Sequence, residues 1–472
     1  MSRSPRPRPR SVVFTASEQF LLLEYFRSPY AVEPGGEGLL EAVRSDETGR
    51  ALLYPRNAGQ PRPWRFGKTR LFVGAAGEEE LRERLGEGWR PAERLEVTDG
   101  SATTAVWRSD RGDVVLPFDP NEAITSFWSE SYQGERASAG GLLKATLRKA
   151  YYRARPLLPR RAQIALRRGF SHVQARSDFP RWPVETSLHD LYDWLFAELR
   201  GLAGAPIPTI APWPEGRRWA LVLTHDVETA VGAANVDLMR RLEEERGFRS
   251  SWNFVPHRYE LADELLRDLD EDGFEIGVHG LKHDGRDLES LSTLEQRLPE
   301  IRRYAERWRA TGFRSPATHR RWELMPLLGF DYDSSYPDTD PYEPQAGGCC
   351  TWLPFFNDGL VELPITLPQD HTLFTILRVE DERPWLEKAT FLRDRGGMAL
   401  MITHPDYMLE QRYLDVYARL LDELGDDKTL WRALPRDVSE WWRRRAASSI
   451  RRNGSGWVVE GAAAGDAAVL ER

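Results

Sequence analysis

Cysteine is scarce in this chain of 472 residues. The only two, Cys349 and Cys350, are adjacent. Neighbouring cysteines rarely pair, so the sequence predicts no disulfide framework and is typical of a reducing compartment. Long apolar runs are also missing, since no stretch approaches the ~20 apolar residues that span a bilayer. Excess positive charge is absent too, because 65 basic residues face 73 acidic ones, which argues against a nucleic-acid-binding protein.

The first ten residues are basic and rich in proline, as at the start of a secretion signal. Glu18 then interrupts the apolar stretch before it reaches a useful length. We therefore expect a cytoplasmic protein.

Composition divides the chain into four parts. We expect a small α/β domain of unknown role over residues 1–135 and a basic helical linker over 136–205. Strand and helix patterns alternate over 206–446, and residues 447–472 form a tail with a glycine-rich turn that predicts a β-hairpin. Alternation at this spacing indicates a parallel sheet with crossover helices. Seven such units predict an α/β fold with a closed or nearly closed seven-stranded barrel.

A basic segment lies between residues 141 and 170 and contains no acidic residue. We favour a solvated basic surface that lies on an acidic neighbour. The alternative is an anion-binding surface for anionic lipid or a phosphorylated carrier, which would place the protein peripherally at a membrane. Its basic residues are Lys144, Arg148, Lys149, Arg153, Arg155, Arg160, Arg161, Arg167 and Arg168.

The residues with catalytic chemistry are two carboxylates and three histidines. Asp226 and Glu228 are two positions apart, so on an extended strand end they project to the same side. His279 and His283 are four apart, which brings both rings together if the segment coils into a helical turn. Carboxylate oxygen and imidazole nitrogen are zinc ligands, and His404 adds a proton donor. The pattern indicates a metal-assisted hydrolase.

Every candidate follows a predicted strand of the barrel. In barrels of alternating strands and helices, active sites are built at the carboxyl ends of the strands. One rim therefore collects the two carboxylates, the three histidines and four further residues, which are Arg314, Asp333, Asp370 and His371.

Taken together, these motifs resemble those of the polysaccharide deacetylases (carbohydrate esterase family four, the Nod-type chitooligosaccharide deacetylases). The resemblance covers about residues 215–445. It implies a distorted seven-stranded barrel that hydrolyses N-acetyl groups with a divalent metal. The matching stretches are Thr224-His-Asp-Val-Glu228, His279-Gly-Leu-Lys-His283, Arg314-Ser-Pro316, Asp333-Ser-Ser335 and Ile402-Thr-His404.

The resemblance also implies a role for each residue. Glu228, His279 and His283 would hold the metal, with zinc expected and cobalt, nickel, manganese or iron as alternatives. Asp226 would be the base, with Arg314 keeping it charged. His404 would be the acid that protonates the departing amine.

The first motif departs from the family pattern. Val227 stands where the family has its metal-binding aspartate, so the metal carboxylate moves to Glu228. The roles of Asp226 and Glu228 are therefore open to exchange. Asp333 either caps a turn or orients His404.

Four further residues are candidates for substrate binding. His371, Asp370, Tyr336 and His257 follow predicted strands and would line the pocket. For His371 a structural role is the alternative.

The main hypothesis is a metal-dependent deacetylase of an N-acetylated sugar or glycan precursor. A first alternative keeps the metal but cleaves a cyclic amide or ureide. A second is a glycan-binding barrel that no longer turns over substrate.

Overall fold

The computed structural model describes residues 13–34, 40–56, 58–135, 168–169, 174, 178–454 and 456–472. The chain divides into two compact units. The first comprises Met1–Glu135, Thr186–Gly216 and Arg443–Arg472, and the second comprises Arg136–Glu185 and Arg217–Trp442. Within the described residues, no helix is both long and apolar enough to cross a membrane.

The first unit contains a mixed sheet. Among its described residues the strand order is β2-β1-β3-β4-β9-β8-β7-β5-β6. The strands are β1 (Phe14–Ala16), β2 (Tyr30–Val32), β3 (Leu40–Ser45), β4 (Ala51–Pro55), β5 (Arg62–Phe66), β6 (Thr69–Val73), β7 (Trp89–Val97), β8 (Thr103–Ser109) and β9 (Val114–Val115). The helices are α1 (Leu21–Phe26), α2 (Glu78–Leu85), α3 (Pro120–Trp128), α4 (Tyr132–Glu135) and α5 (Ser187–Ala203). A strand β10 (Pro208–Ile210) follows α5.

The second unit is a curled sheet. In the described part its order is β16-β17-β15-β14-β13-β12-β11-β18, and β19 also pairs with β11. The strands are β11 (Trp219–Val227), β12 (Ser250–Phe254), β13 (Glu275–Val278), β14 (Gly312–Phe313), β15 (Tyr332–Asp333), β16 (Phe355–Asn357), β17 (Leu360–Glu362), β18 (Met398–Thr403) and β19 (Leu430–Arg432). The helices are α6 (Ala230–Ala234), α7 (Val236–Glu245), α8 (Asp263–Glu271), α9 (Leu291–Trp308), α10 (Arg383–Asp394), α11 (Gln411–Gly425) and α12 (Pro435–Ala446).

The described strands β17, β15, β14, β13, β12, β11 and β18 run parallel in that order. Beyond β17, the backbone N–H groups of Thr366 and Leu367 both donate to the carbonyl of Leu400 in β18 (3.1 and 3.0 Å). This irregular contact brings the two ends of the curled sheet together. The predicted α/β fold with a distorted seven-stranded barrel is confirmed.

The tail belongs to the first unit and contains three strands. β20 (Ser448–Asn453) pairs antiparallel with β21 (Gly456–Gly461). The last strand, β22 (Val469–Glu471), pairs antiparallel with β10. A hairpin is therefore present, and it closes at the glycine-rich turn, where Asn453 pairs with Gly456. Its first strand precedes that turn, and the final strand pairs with β10 instead of β21.

The boundaries in the structure differ from those expected from composition. Helix α5 and strand β10, which we expected in the linker and the barrel, belong to the first unit together with the tail. The β10–β22 pairing explains the difference, because it joins segments about 260 residues apart that composition cannot connect. Most of the basic segment lies outside the described residues. Within it, Arg168 is described, and its Nε donates to the carbonyl of Thr375 (2.9 Å).

Candidate metal centre

Strand ends bring the metal-binding candidates together at the carboxyl edge of the barrel. Asp226 is the penultimate residue of β11, and Glu228 directly follows that strand. His279 directly follows β13, which is separated from β11 by one strand. The potential ligand atoms of Glu228, His279 and His283 all lie within 4.8 Å of one another.

The loop from His279 to His283 is a bend, and the helical turn expected from the four-residue spacing is not formed. Gly280 (φ 63°) and His283 (φ 54°) both adopt the left-handed conformation. At Gly280 a side chain would also meet Pro316, because a Cβ atom would lie 2.6 Å from its ring. The two imidazole rings are nevertheless close together, with centroids 5.1 Å apart and ring planes tilted by 57°.

Helix α9 holds this loop through Arg297, a partly buried arginine that contacts two aspartates. Asp287 accepts a hydrogen bond from the backbone N–H of Leu281 (3.2 Å). Arg297 of α9 donates to Asp287 (2.7 Å) and, with two nitrogens, to Asp284 (2.7 Å each). A bidentate arginine–carboxylate contact restricts both partners, so it stabilises the bend that presents His283.

His279 has the surroundings of a metal ligand. Its Nδ1 lies 3.1 Å from the carbonyl oxygen of Arg314. A carbonyl only accepts, so Nδ1 carries the proton and the lone pair is at Nε2. Such a contact to the second ring nitrogen is usual for metal-binding histidines. Burial lowers the pKa of His279 to about 4, which favours the neutral ring that a metal requires.

The donor atoms of the site fit a zinc-like ion. Among the described residues, the buried Nε2 atoms of His279 and His283 have no hydrogen-bond partner. Nε2 of His283 nevertheless lies 3.0 Å from Oε1 of Glu228, so the two donors are adjacent without being aligned for a hydrogen bond. One carboxylate and two imidazoles leave room for further ligands, as in catalytic zinc sites.

One contact opposes metal binding. Nη1 of Arg258 lies 2.6 Å from Nδ1 of His283. Arginine only donates, so this contact makes Nδ1 an acceptor and places the proton of a neutral ring on Nε2. A metal at Nε2 requires the opposite tautomer, so Arg258 has to leave Nδ1 when the site is filled.

Asp226 is a buried carboxylate beside the proposed ligands. Asn253, its register partner on β12, donates to Oδ1 (2.8 Å). Nε2 of His279 and Nη1 of Arg314 lie 3.8 and 3.5 Å from Oδ2. Burial raises the pKa of Asp226, but the neighbouring His279, Arg314 and His404 outweigh burial and hold it below its usual value. Arg314 is the permanent charge among them, so Asp226 is ionised at neutral pH.

Arg314 is fully buried, and its orientation is fixed. Its Nε donates to the Ser334 hydroxyl (2.9 Å), and its Nη2 donates to the Thr224 hydroxyl (3.1 Å). These contacts direct the remaining nitrogen toward Asp226. The structure thus places Arg314 beside the carboxylate that the motifs assigned to it.

His404 is paired with Asp370. Nδ1 of His404 lies 2.7 Å from Oδ1 of Asp370, and Nε2 lies 4.0 Å from Oε1 of Glu228. Burial lowers the pKa of His404, but Asp370 above all, together with Glu228 and Asp226, raises it to about 10. The ring therefore carries its proton at neutral pH, as an acid must.

The orienting carboxylate is thus Asp370, which we had expected to bind substrate, and not Asp333. Asp333 accepts two hydrogen bonds from Ser335, from its N–H (2.7 Å) and its hydroxyl (2.8 Å), and so closes a turn at the end of β15. Its register partner on β17 is the buried Glu362. Burial raises the pKa of Asp333 to about 6 and that of Glu362 well above its usual value.

The remaining substrate-binding candidates occupy different places. His371 begins a π-helical turn, His371–Leu377, and its ring lies 4.9 Å from that of Tyr407. Tyr336 is buried beneath the guanidinium of Arg320, at 5.6 Å. Nε2 of His257 lies 3.1 Å from Oε1 of Glu300 on α9. Substrate contact stays a prediction for all three.

Sequence reasoning missed several residues of the site. Asn253 contacts Asp226, and Asp406 and Tyr407 contact Glu228. Their positions could have indicated them. Asn253 is a polar residue inside strand β12, and Asp406 and Tyr407 follow His404 by two and three residues. His225 sits inside the first motif but belongs to the core, because its ring nitrogens contact Thr403 and Glu243 (2.7 Å each).

The fold and the site define an α/β barrel with a carboxylate–imidazole centre at the carboxyl ends of its strands. Neither a family model nor a curated protein matches the sequence. Solved structures match about half of the chain.

Three of these structures illustrate the likeness. A protein from Mycobacterium smegmatis described as a polysaccharide deacetylase is 20% identical, covering 53% of this chain and 98% of its own (TM-score 0.44). A protein from Pseudomonas aeruginosa PAO1 with the same description is 16% identical, with coverages of 50% and 94% (TM-score 0.41). The PuuE allantoinase is also 16% identical, with coverages of 49% and 93% (TM-score 0.40).

Proposed function

We propose that the chain is a metal-dependent hydrolase that removes the N-acetyl group from a sugar or glycan precursor. One observation carries the proposal. Three residues suited to a divalent metal, Glu228, His279 and His283, converge within 4.8 Å. Beside them are a charged carboxylate, Asp226, and a protonated imidazole, His404.

Glu228, His279 and His283 would hold the metal, and their nitrogen and oxygen donors favour zinc. When bound, such an ion polarises an amide carbonyl and lowers the pKa of water. The protein residues supply the proton transfers.

Asp226 is the base of the proposed reaction. It accepts a proton from the attacking water as the new C–O bond forms. Arg314, 3.5 Å away, keeps Asp226 ionised, and Asn253 holds its other oxygen at 2.8 Å. These fixed contacts favour Asp226 over Glu228 as the base, because Glu228 faces the imidazoles of the metal trio.

His404 is the acid. An amine leaves an amide poorly unless its nitrogen is protonated, so a donor is needed as the C–N bond breaks. Asp370 fixes Nδ1 of His404 and leaves Nε2, on the side of Glu228, to donate. The products are acetate and the free amino sugar. The substrate we propose is a cytoplasmic sugar precursor, either free or attached to a phosphorylated carrier.

Zinc analysis and a substrate screen test the proposal together. The full chain is offered chitotetraose, UDP-N-acetylglucosamine and allantoin, and acetate or ring opening is measured. We expect about one zinc per chain and acetate release from one N-acetylated sugar. Asp226→Asn should lower turnover at least ~10²-fold, as loss of a general base does, while retaining zinc. The exposed Asp263→Asn is the matched control and should leave turnover unchanged.

Each contrary result has a definite meaning. Turnover of allantoin alone would replace the deacetylase with a cyclic ureide hydrolase. Glycan binding without any turnover would leave a binding barrel. A chain that binds no divalent metal would contradict both enzyme functions.

A further inference from the structure

Glu228 is an unusual candidate metal ligand, because it lies one residue beyond the end of β11 and is longer than an aspartate. We propose that Asp406 and Tyr407, on the turn after β18, are positioning residues that hold Glu228 as the metal-binding carboxylate. The inference rests on the metal site of the proposed function. It assigns a role to two residues that no motif of the sequence indicated.

Asp406 fixes the backbone at Glu228. Its Oδ2 accepts the N–H of Glu228 at 2.9 Å, and its Oδ1 accepts the hydroxyl of Thr229. The approach is close enough to require glycine at position 232, since a Cβ atom there would lie 2.2 Å from Oδ2 of Asp406. Gly232 therefore leaves the space that the carboxylate of Asp406 occupies when it reaches Glu228 from the turn after β18.

Tyr407 fixes the side chain. Its hydroxyl donates to Oε2 of Glu228 at 3.2 Å. The other oxygen, Oε1, then faces Nε2 of His283 at 3.0 Å and Nε2 of His404 at 4.0 Å. The contact of Tyr407 with Oε2 thus leaves Oε1 as the oxygen that faces His283, a member of the proposed metal trio.

The ring of Tyr407 is itself held in place. It packs edge-on against the ring of His404, with centroids 5.2 Å apart. The ring of His371 lies on it at a tilt of 49°, with centroids 4.9 Å apart. Its backbone N–H donates to the carbonyl of His404 (2.9 Å). One short turn therefore holds both the proposed acid and, through Tyr407, the metal carboxylate.

The extra length of Glu228 explains why two anchors are needed. An aspartate at position 227 would be fixed by the strand, but Val227 is buried there. A glutamate beyond the strand end has one more rotatable bond, and restricting it costs conformational entropy when the metal binds. Asp406 and Tyr407 remove that freedom in advance. Contacts behind metal ligands of this kind typically change metal affinity 10–100-fold.

Zinc affinity of the full-length chain tests the inference without a substrate. Zinc is removed with a chelator and returned in competition with a chromogenic chelator of known affinity. Tyr407→Phe removes only the hydroxyl and should weaken zinc binding about 10–100-fold. Tyr413→Phe is the matched control, since Tyr413 stacks on Phe374 and its hydroxyl contacts Arg412, so its zinc affinity should equal that of the wild type.

Asp406→Asn provides an independent arm. An amide keeps the size but turns one acceptor into a donor and removes the charge, so it cannot accept from both the Glu228 N–H and the Thr229 hydroxyl as the carboxylate does, and zinc affinity should again fall. Each metal-free variant should melt in one cooperative transition, which shows that the chain is folded before zinc is returned. Affinity unchanged in both Tyr407→Phe and Asp406→Asn would overturn the inference while leaving the proposed function intact. Weakened zinc binding without deacetylation of any sugar would uphold the inference and contradict the proposed function.

Discussion

Both carboxylate oxygens of Asp370 bind His404. Oδ1 accepts from Nδ1 of the ring and Oδ2 accepts from the backbone N–H, each at 2.7 Å. One carboxylate therefore fixes both the ring and the main chain, and rotation of the imidazole would break its charge-assisted hydrogen bond to Oδ1 while the backbone of His404 stays anchored to Oδ2. The pairing joins the segment after β17 to the end of β18.

Replacing Asp370 with asparagine should impair the acid. An amide can accept from only one of the two N–H groups, and it no longer stabilises a protonated ring. We expect kcat to fall about 10²–10⁴-fold, the usual contribution of a general acid, with KM nearly unchanged. Steady-state kinetics on the sugar identified in the screen measure this split. Asp381→Asn, at a partly exposed position, is the control, and an unchanged kcat in Asp370→Asn would remove Asp370 from the mechanism.

Removing Arg258 should strengthen metal binding. Its guanidinium occupies Nδ1 of His283 at 2.6 Å and repels a divalent ion nearby. In Arg258→Ala, His283 is free to place its proton on Nδ1, and the charge repulsion between the guanidinium and the ion disappears. Together we expect these changes to improve the free energy of zinc binding by about 1 kcal/mol, which is roughly fivefold in affinity. Zinc competition measures it against Arg267→Ala, an exposed arginine of α8. Weaker zinc binding in Arg258→Ala would show that the arginine supports the site.

Glu275 should make stability depend on pH. Its oxygens accept from the Tyr332 hydroxyl (2.7 Å) and the Arg436 N–H (3.0 Å), yet burial raises its pKa from 4.5 to about 7. Ionisation is thus harder in the folded chain. The stability that the protonated Glu275 side chain contributes is fully present below pH 4.5 and is lost as the pH rises through about 7. At about 1.4 kcal/mol per pKa unit, the free energy of unfolding should fall by roughly 3 kcal/mol over this range.

Glu275→Gln should flatten this dependence, because an amide does not titrate. Melting temperatures at pH 5 and pH 8 should differ less in Glu275→Gln than in the wild type or in the exposed control Glu264→Gln. An equal pH dependence in all three proteins would assign the effect to other groups.

The buried ion pair of Lys388 and Asp338 should be costly to break. Nζ of Lys388 lies 2.8 and 2.9 Å from the two carboxylate oxygens, and both side chains are buried. Lys388→Met leaves a buried carboxylate without its cation and should destabilise the fold by about 3–5 kcal/mol. Adding Asp338→Asn removes the uncompensated charge and should restore most of the melting temperature. A double variant as unstable as the single one would contradict this account.

Much of the site could be predicted because its motifs are local. Glu228, His279, Arg314 and His404 each lie within one residue of a strand end, and parallel strands deliver their ends to one edge. The expected helical turn at His283 failed for a local reason as well. Spacing alone cannot show that Gly280 and His283 take left-handed conformations, which form a bend in place of a turn of helix.

Other parts of the site depend on distant segments. Asp333 and Asp370 were both acidic residues after strands, and sequence could not tell which one meets His404. The chain between β17 and the π-helical turn places Asp370 beside His404, which lies 34 residues further along the sequence. In the same way, Glu228 meets Tyr407 across 179 residues.

The sequence by itself determined the fold class and the candidates for the metal trio and the base, because strand periodicity and short spacings encode which side chains share one edge. Tertiary structure decided which neighbours orient them. Asp370, Asp406, Tyr407 and Arg258 reach the site through loop paths and packing between strands, and side-chain contacts over such separations leave no periodic trace in a single sequence. The pairing of β10 with β22, which assigns the tail to the first unit, was decided in the same way.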